Sequence, residues 1–522
     1  MTTVTQRRKH DETKASSKPR GPCPSLVDPA NFLVATRDTG YGTTAFAIAE
    51  LIDNSLQAGA TEVQVEVAAS RDDEFPMEIT VLDNGSGMEP DTLSAALTFG
   101  GSTRFGDRAS LGRYGMGLPN GALSRARRVE IYSWTGPTVW KGRLDVDEVA
   151  RTRNGMLPPI SELTDRTFLP TTSSGTVVRL SRCDRVEYKR VSTVVRHLSE
   201  ELGRIYRYFI ATGVNLVVNG SSVTPLDPLM LDSEGRLAGA RQFGDTLVYS
   251  VDTPAGSGEI KVRFSELPIE RWHTLTSSEK RQLGITSSPS VSVLRAAREI
   301  DRGWFFMGAK RRENYDDWWR CEVCFEPVLD ELFGLTHAKQ SIAPTQDLLD
   351  LLAPDLEPIG RALNNRVRRR FELLKVSAPL GNAERRAARA EVALPPLPRN
   401  PEAPPPELEQ ALAPMEATRS IDCPYQLVVS DLPTTAAFET VVRRGRLVVA
   451  LNSRHPLYRD LYGPLATSET ESDKDVATRV ALTVLAAARA EWLDPRKAGR
   501  AARRRFRQAW SDVMASFFNA PA

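Results

Sequence analysis

Apolar positions along the chain change period in a way that marks out successive elements. From Thr44 to Leu56 they recur at helical spacing, whereas Glu62–Val67 alternates polar residues with valine, as a strand with one buried face does. Glu78–Leu82, Val129–Trp134 and Thr176–Leu180 carry the same strand signature. Helices are expected near Asp91–Leu97, over Tyr114–Ser124 and over Val191–Phe209. Asn215–Asn219, Gly220 and the turn-forming Pro225-Leu226-Asp227-Pro228 then close a first unit, placed at 23–230.

A second unit, 231–380, is read from a hairpin over Leu247–Phe264, strands near Ser290–Leu294, Trp304–Met307 and Trp319–Phe325, and a helix from about Thr345 to Leu374. Proline crowds Ala393–Pro414, including Pro404-Pro405-Pro406, so 381–417 reads as a semi-rigid linker. The last unit, 418–522, has a strand at Tyr425–Val429, a hairpin through Arg444-Gly445 to Leu451, and helices near 472–493 and 496–518. Pro495 stands where a first-turn proline belongs. The expected class is α+β: an α/β sandwich, then a βαβ domain, then a small α+β C-terminal domain.

Composition narrows the function classes. At 522 residues the chain is too long for one small binding module. Lys and Arg total 68 against 66 Asp and Glu, a formal charge of +2, so any nucleic-acid surface must come from local clustering. Residues 1–22 mix Arg7, Arg8, Lys9, Lys14, Lys18 and Arg20 with polar residues and read as a tail without a signal-peptide core. The longest apolar stretch, around Val480–Ala488, is far below the ~20 residues of a membrane span, so no membrane is expected and the localisation expected is cytoplasmic. The 5 cysteines lack framework spacing. Cys321 and Cys324 lie three apart on an expected strand, facing opposite sides, and are read as structural rather than as zinc ligands.

Four short motifs carry candidate chemistry. In Glu50-Leu51-Ile52-Asp53-Asn54-Ser55 the helical spacing puts Glu50 and Asn54 on one face, a carboxylate able to take a proton from water beside an amide oxygen able to hold Mg2+. Asp83-Asn84-Gly85-Ser86-Gly87-Met88 follows a strand directly: Asp83 is an acceptor for an exocyclic amine, and Gly85 and Gly87 let a ligand approach the backbone. Gly112-Arg113-Tyr114-Gly115-Met116-Gly117 opens a helix, where free N–H groups can take phosphate. Gly175-Thr176 starts a strand. Each alone has a plainer reading, as an exposed helix face, a glycine-rich turn or a glycine triplet. No Gly-x-x-x-x-Gly-Lys-Ser/Thr loop occurs, which removes the P-loop route to ATP.

The order and spacing of the four motifs resemble those of the GHKL (Bergerat-fold) ATPases, the superfamily of gyrase, the heat-shock-90 chaperones, histidine kinases and MutL, over nearly all of 40–185. The resemblance implies ATP and Mg2+ as cofactors. It makes Glu50 the general base, Asn54 the metal ligand, Asp83 the adenine-binding acid, and Gly85, Gly87 and Met88 the lining beneath the nucleotide. Phe99-Gly100-Gly101-Ser102-Thr103 is similar to the start of the ATP lid, so Ser102 and Thr103 join the site. Gly112, Gly115 and Gly117 resemble the phosphate loop, and Thr176 the residue reaching adenine through water. Thr336-His337-Ala338-Lys339-Gln340 resembles an element of MORC ATPases in which a transducer-domain lysine reaches the terminal phosphate, which would make Lys339 a catalytic switch. Gln57, Pro119 and Ala338 depart from the pattern, where an acid, a lysine and an asparagine are usual.

A prokaryotic MORC-like or MutL-like homodimeric clamp is thereby implied, with a role in bacterial genome defence by analogy. DNA would be held by Arg361, Arg366, Arg368, Arg369 and Arg370 on one helix and by Arg496, Lys497, Arg500, Arg503, Arg504, Arg505 and Arg507 on another. The alternatives are an Hsp90-like protein-remodelling ATPase, a scaffold among partner proteins, and a histidine kinase. The last is opposed by His197 following, rather than preceding, the nucleotide motifs.

Overall fold

A computed structural model describes residues 27–72, 74–101, 117–153, 155–167, 169–231, 238–286, 291–335, 341–391, 394–397, 423–443, 445–493 and 499–519. The N-terminal tail, Ser102, Thr103, Gly112, Gly115, Lys339 and most of the proline-rich stretch lie outside the described residues. The class is α+β, and the chain divides into two compact units. The first comprises 1–266, 289–309 and 319–356; the second comprises 267–288, 310–318 and 357–522.

The first unit begins with α1 (Pro29–Asp38) and α2 (Thr44–Gln57), then β1 (Glu62–Ala69), β2 (Met77–Asp83), α3 (Pro90–Leu97), α4 (Gly117–Arg125), β3 (Ala126–Trp134), β4 (Val139–Asp145), α5 (Val146–Thr152), β5 (Ser161–Glu162), β6 (Gly175–Cys183), α6 (Val191–Ile205), α7 (Arg207–Ala211), β7 (Asn215–Val218) and β8 (Ser221–Ser222). These strands form one eight-stranded sheet in the order β5-β4-β3-β6-β2-β1-β7-β8. The alternation read along β2 is real: its residues are buried and half-buried in turn. Ile48 and Ile52 of α2, Val63 and Val65 of β1, Ile79 and Val81 of β2 and Leu198 and Leu202 of α6 meet in one core between helices and sheet. Thr43 caps α2, its hydroxyl accepting from the Phe46 amide at 3.3 Å.

A second sheet in the same unit contains β9 (Arg241–Gln242), β10 (Leu247–Thr253), β11 (Gly256–Glu266), β12 (Val291–Arg295), β13 (Arg298–Gly303) and β14 (Trp319–Phe325), in the order β10-β11-β14-β12-β13 with β9 on β11. The strand expected at Trp304–Met307 is corrected here. The chain turns back two residues after β12, with Ala296 and Ala297 both in the left-handed region (φ 47° and 68°), and Arg298–Gly303 supplies the strand. The aromatic run has strand propensity, but the preceding turn has already used the edge. On β14, Cys321 is buried and Cys324 half-buried, and both are free thiols. Among the described residues no group of three or more potential ligands could hold a metal ion.

Two other expectations shift. The segment Val191–Phe209 breaks at Tyr206 into α6 and α7. The helix expected to stop near Leu374 runs Gln346–Ala390, through Pro379 and Gly381, because Val376, Leu380 and Ala383 beyond the expected end are buried in a core. That core belongs to the second unit, where β15 (Tyr425–Ser430), β16 (Phe438–Arg443) and β17 (Arg446–Asn452) form a sheet in the order β15-β17-β16. Helices Glu471–Ala490 and Arg500–Phe518 accompany that sheet. No described helix is long and apolar enough to cross a membrane.

Candidate nucleotide site

Helix α2 is the spine of the site. Its apolar residues face the sheet, yet Glu50 is only 2% exposed and Asn54, one turn later, is half-buried. α4 begins opposite Glu50: a Cβ placed on Gly117 would stand 2.6 Å from Glu50 Oε2. Gly121, one turn on, lets the helices close further, since its Cβ would lie 3.1 Å from the Ala47 carbonyl and 3.3 Å from Glu50 Cβ. The carboxylate therefore lies against the N-terminal turn of a helix, where unpaired N–H groups and the helix dipole favour negative charge. Pro119 sits within that same turn and, lacking an N–H there, costs no helical bond. Tyr41 is buried beside Glu50; burial first, and the Glu50 charge second, raise its phenol far above the ordinary range.

The second part of the site is assembled by strand register. Asp83 ends β2 opposite Thr176 of β6, and Thr176 faces Ser133 of β3. The Asp83 carboxylate accepts from Ser55 Oγ at 2.8 Å and from the Gly85 amide at 2.9 Å. Burial pushes its pKa up from the ordinary 3.8, opposed by the Gly85 amide and the Ser55 hydroxyl. Ser133 Oγ lies 2.9 Å from Thr176 Oγ1 and accepts from the Met88 amide at 2.8 Å, pinning the loop after β2 onto β3. Asn84 holds the loop from the other side, its Oδ1 accepting from the amides of Thr61 and Glu62 at 2.9 and 3.0 Å.

The glycines of this loop are required by contact. Gly87 has φ +71°, and a Cβ there would lie 1.9 Å from the Trp134 carbonyl oxygen. Gly85 abuts Ala58, whose Cβ would be 2.9 Å from its own. Glu50, Asn54, Asp83, Gly85, Gly87, Met88, Gly117 and Thr176 are thus built into one frame by α2, α4 and the adjacent strands β2, β3 and β6. Ser102, Thr103, Gly112, Gly115 and Lys339 belong to undescribed stretches. Sequence reasoning missed Ser55, Ser133 and Tyr41. Ser55 directly follows Asp53-Asn54, and Ser133 is found only through the β3–β6 register.

The donor set suits a nucleotide with Mg2+. Asn54 Nδ2 is buried with no hydrogen-bond partner among the described residues, so this nitrogen is not spent on the fold. Its oxygen is a hard ligand of the kind Mg2+ takes singly, completing its shell with water and phosphate oxygens.

The arginines expected to form a basic surface divide. Arg503 is buried over the Trp492 ring, and Arg507 is buried with Glu439 and Glu491, its Nε 2.9 Å from Glu491 Oε1. Arg361 pairs with Glu357, and Arg370 lies 3.4 Å from Glu270. Arg369, Arg504 and Arg505 are exposed.

Residues 41–176 match the family model described as histidine kinase-, DNA gyrase B- and HSP90-like ATPase. The chain is 35% identical over 89 residues to ATPase MORC2B of Mus musculus, covering 17% of this chain and 9% of that protein. It is 33% identical over 89 residues to ATPase MORC2 of Homo sapiens, with the same 17% and 9% coverage. To the DNA mismatch repair protein MutL of Rhizobium meliloti it is 28% identical over 192 residues, covering 35% of this chain and 28% of that protein. The matched part thus spans about a tenth of the MORC proteins and just over a quarter of MutL.

Proposed function

We propose that this chain, which carries a GHKL-type ATPase domain over residues 41–176, binds ATP with Mg2+ and uses its hydrolysis to close and reopen a homodimeric clamp on DNA. The observation that carries the hydrolytic part is the placement of Glu50, buried to 2% exposure against the first turn of α4, with Asn54 one helical turn away. A carboxylate so enclosed can take a proton from an attacking water while bulk solvent is kept out. Asp83, held by Ser55 and the Gly85 amide, accepts the exocyclic amine of adenine, and Thr176 lines the same floor. Asn54 would hold Mg2+, which supplies neutralisation of phosphate charge when bound.

Lys339, Ser102, Thr103, Gly112 and Gly115 complete the site in this reading, with Lys339 sensing the terminal phosphate. The expected test is direct. Glu50→Ala keeps its affinity for a fluorescent ATP analogue and loses turnover by about 10^2- to 10^4-fold, roughly 3–5 kcal/mol of barrier. Turnover near wild type in that variant rejects the assignment of the base.

The choice of DNA as client is supported by the exposed Arg369, Arg504 and Arg505 and by likeness to a DNA mismatch repair protein. A protein client within a multi-protein system is the second reading, favoured by the burial of Arg503 and Arg507, which removes two cations from the cluster. Turnover measured with and without double-stranded DNA at low salt separates the two: stimulation by DNA supports the first, indifference the second.

A further inference from the structure

Between Glu50 and Asn54, on the same helix, stands a second acid that the proposed chemistry does not use. Asp53 is 0% exposed, and its Oδ1 lies 2.9 Å from Nε of Arg298 and 2.7 Å from the hydroxyl of Tyr206. Arg298 is itself 1% exposed and comes from the second sheet, as the first residue of β13, directly after the Ala296–Ala297 turn. Two alanines in the left-handed region are a costly way to build a hairpin turn, which glycine or asparagine would form without strain. Burial works against the guanidinium charge, and Asp53, Tyr206 and Glu50 together more than offset it. Replacing a buried ion pair by packed apolar side chains is often neutral for stability or better, so stability alone does not account for this one.

The same strand makes a second contact. Three residues after Arg298, the carboxylate of Asp301 accepts from the Ile342 amide at 2.9 Å, just downstream of the Thr336–Gln340 element. β13 therefore links the chain that leads out of that element to the helix that carries the base and the metal ligand, over a span of about 10 Å at ~3.3 Å per strand residue.

We infer that Arg298 is a positioning residue for ATP hydrolysis: through Asp53 it fixes the rotation of α2, and with it Glu50 and Asn54, to the position of the second sheet. This rests on the ATPase reading above. Glu299 supplies an internal control, because it is equally buried but bonds Arg204 and Arg207 rather than α2.

The test uses the full chain. Wild type, Arg298→Met, Arg298→Lys, Asp53→Asn, Glu299→Gln and Glu50→Ala are compared for thermal midpoint, fluorescent ATP-analogue affinity and kcat. Arg298→Met is expected to lower kcat on the order of 10- to 100-fold, the usual loss when the partner that orients a functional group is removed, with analogue affinity within about threefold of wild type. Arg298→Lys, which keeps a cation against Asp53, recovers part of that loss. The double variant Arg298→Met/Asp53→Asn is no slower than the slower single, as expected for two residues acting through one contact. Glu299→Gln lowers the thermal midpoint without the fall in kcat.

If Arg298→Met does not fold, Arg298→Lys and Asp53→Asn carry the same comparison. A kcat within twofold of wild type in the folded Arg298 and Asp53 variants overturns the proposal, as does an equal loss in Glu299→Gln. Glu50→Ala turning over like wild type, with the Arg298 effect intact, overturns the base assignment alone. A wild type that binds the analogue without hydrolysing ATP overturns both.

Discussion

Asp83 shows how a single side chain is tuned by what surrounds it. In the proposed site its carboxylate accepts an adenine amine best when ionised, yet burial raises its pKa above 3.8, with the Gly85 amide and Ser55 hydroxyl only partly opposing the rise. The folded value lies above the unfolded one, so ionised Asp83 costs stability at neutral pH, and that cost is relieved as the pH falls. In the proposed adenine site binding runs the other way, because protonation turns one carboxylate oxygen into an O–H donor and leaves only a weaker, neutral carbonyl acceptor. Affinity for an adenine nucleotide is therefore expected to fall on acidification while exposed aspartates are still ionised, whereas Asp83→Asn binds weakly with a flatter profile over the same range. Titration calorimetry at stepped pH checks this; identical slopes for the two proteins would remove Asp83 from the adenine pocket.

At the scale of elements, the decisive contact is between α2 and α4. Gly117 has ordinary backbone geometry, so alanine there meets no left-handed strain; the obstacle is the Glu50 carboxylate, 2.6 Å from the new Cβ. Gly117→Ala is expected to push Glu50 aside and lower kcat by about 10-fold or more while the thermal midpoint moves by only a few degrees, since ~1 kcal/mol shifts a domain of this size by roughly 2–4 °C. Stopped-flow turnover and a melting curve read the two effects separately, and unchanged kcat would mean that Glu50 has another productive position. The motifs on α2 and after β2 were legible in the sequence because helical spacing and strand alternation fix which faces their residues share. The partners of those motifs were not. Ser133 reaches Thr176 through the register of β3 on β6, and Arg298 reaches Asp53 across 245 positions of chain, contacts that no local period encodes. The strand placed at Trp304–Met307 failed for a related reason: strand propensity was read correctly, but the two-alanine turn that set the true strand has none of the usual turn residues.

For the molecule as a whole, net charge is uninformative at +2, and what matters is which cations the fold leaves in water. In helix Arg500–Phe518 the fold takes Arg503 and Arg507 for itself. The Arg507 guanidinium bridges Glu491 and Glu439 at 6% side-chain exposure, and removing it would strand two acids at a cost of about 3–5 kcal/mol. Arg504 and Arg505 lie on the outside of the same helix. DNA held through this helix releases about 0.9 counterions per phosphate neutralised. Arg504→Ala/Arg505→Ala is therefore expected to reduce the steepness of log K against log salt by about 2, with melting unchanged. Arg507→Ala instead loses stability first, and with it any binding at every salt concentration. Fluorescence anisotropy on a labelled duplex between low and moderate salt reads the slopes. An unaltered slope in the double variant would exclude these two arginines from the DNA surface and move the client of the proposed clamp toward protein.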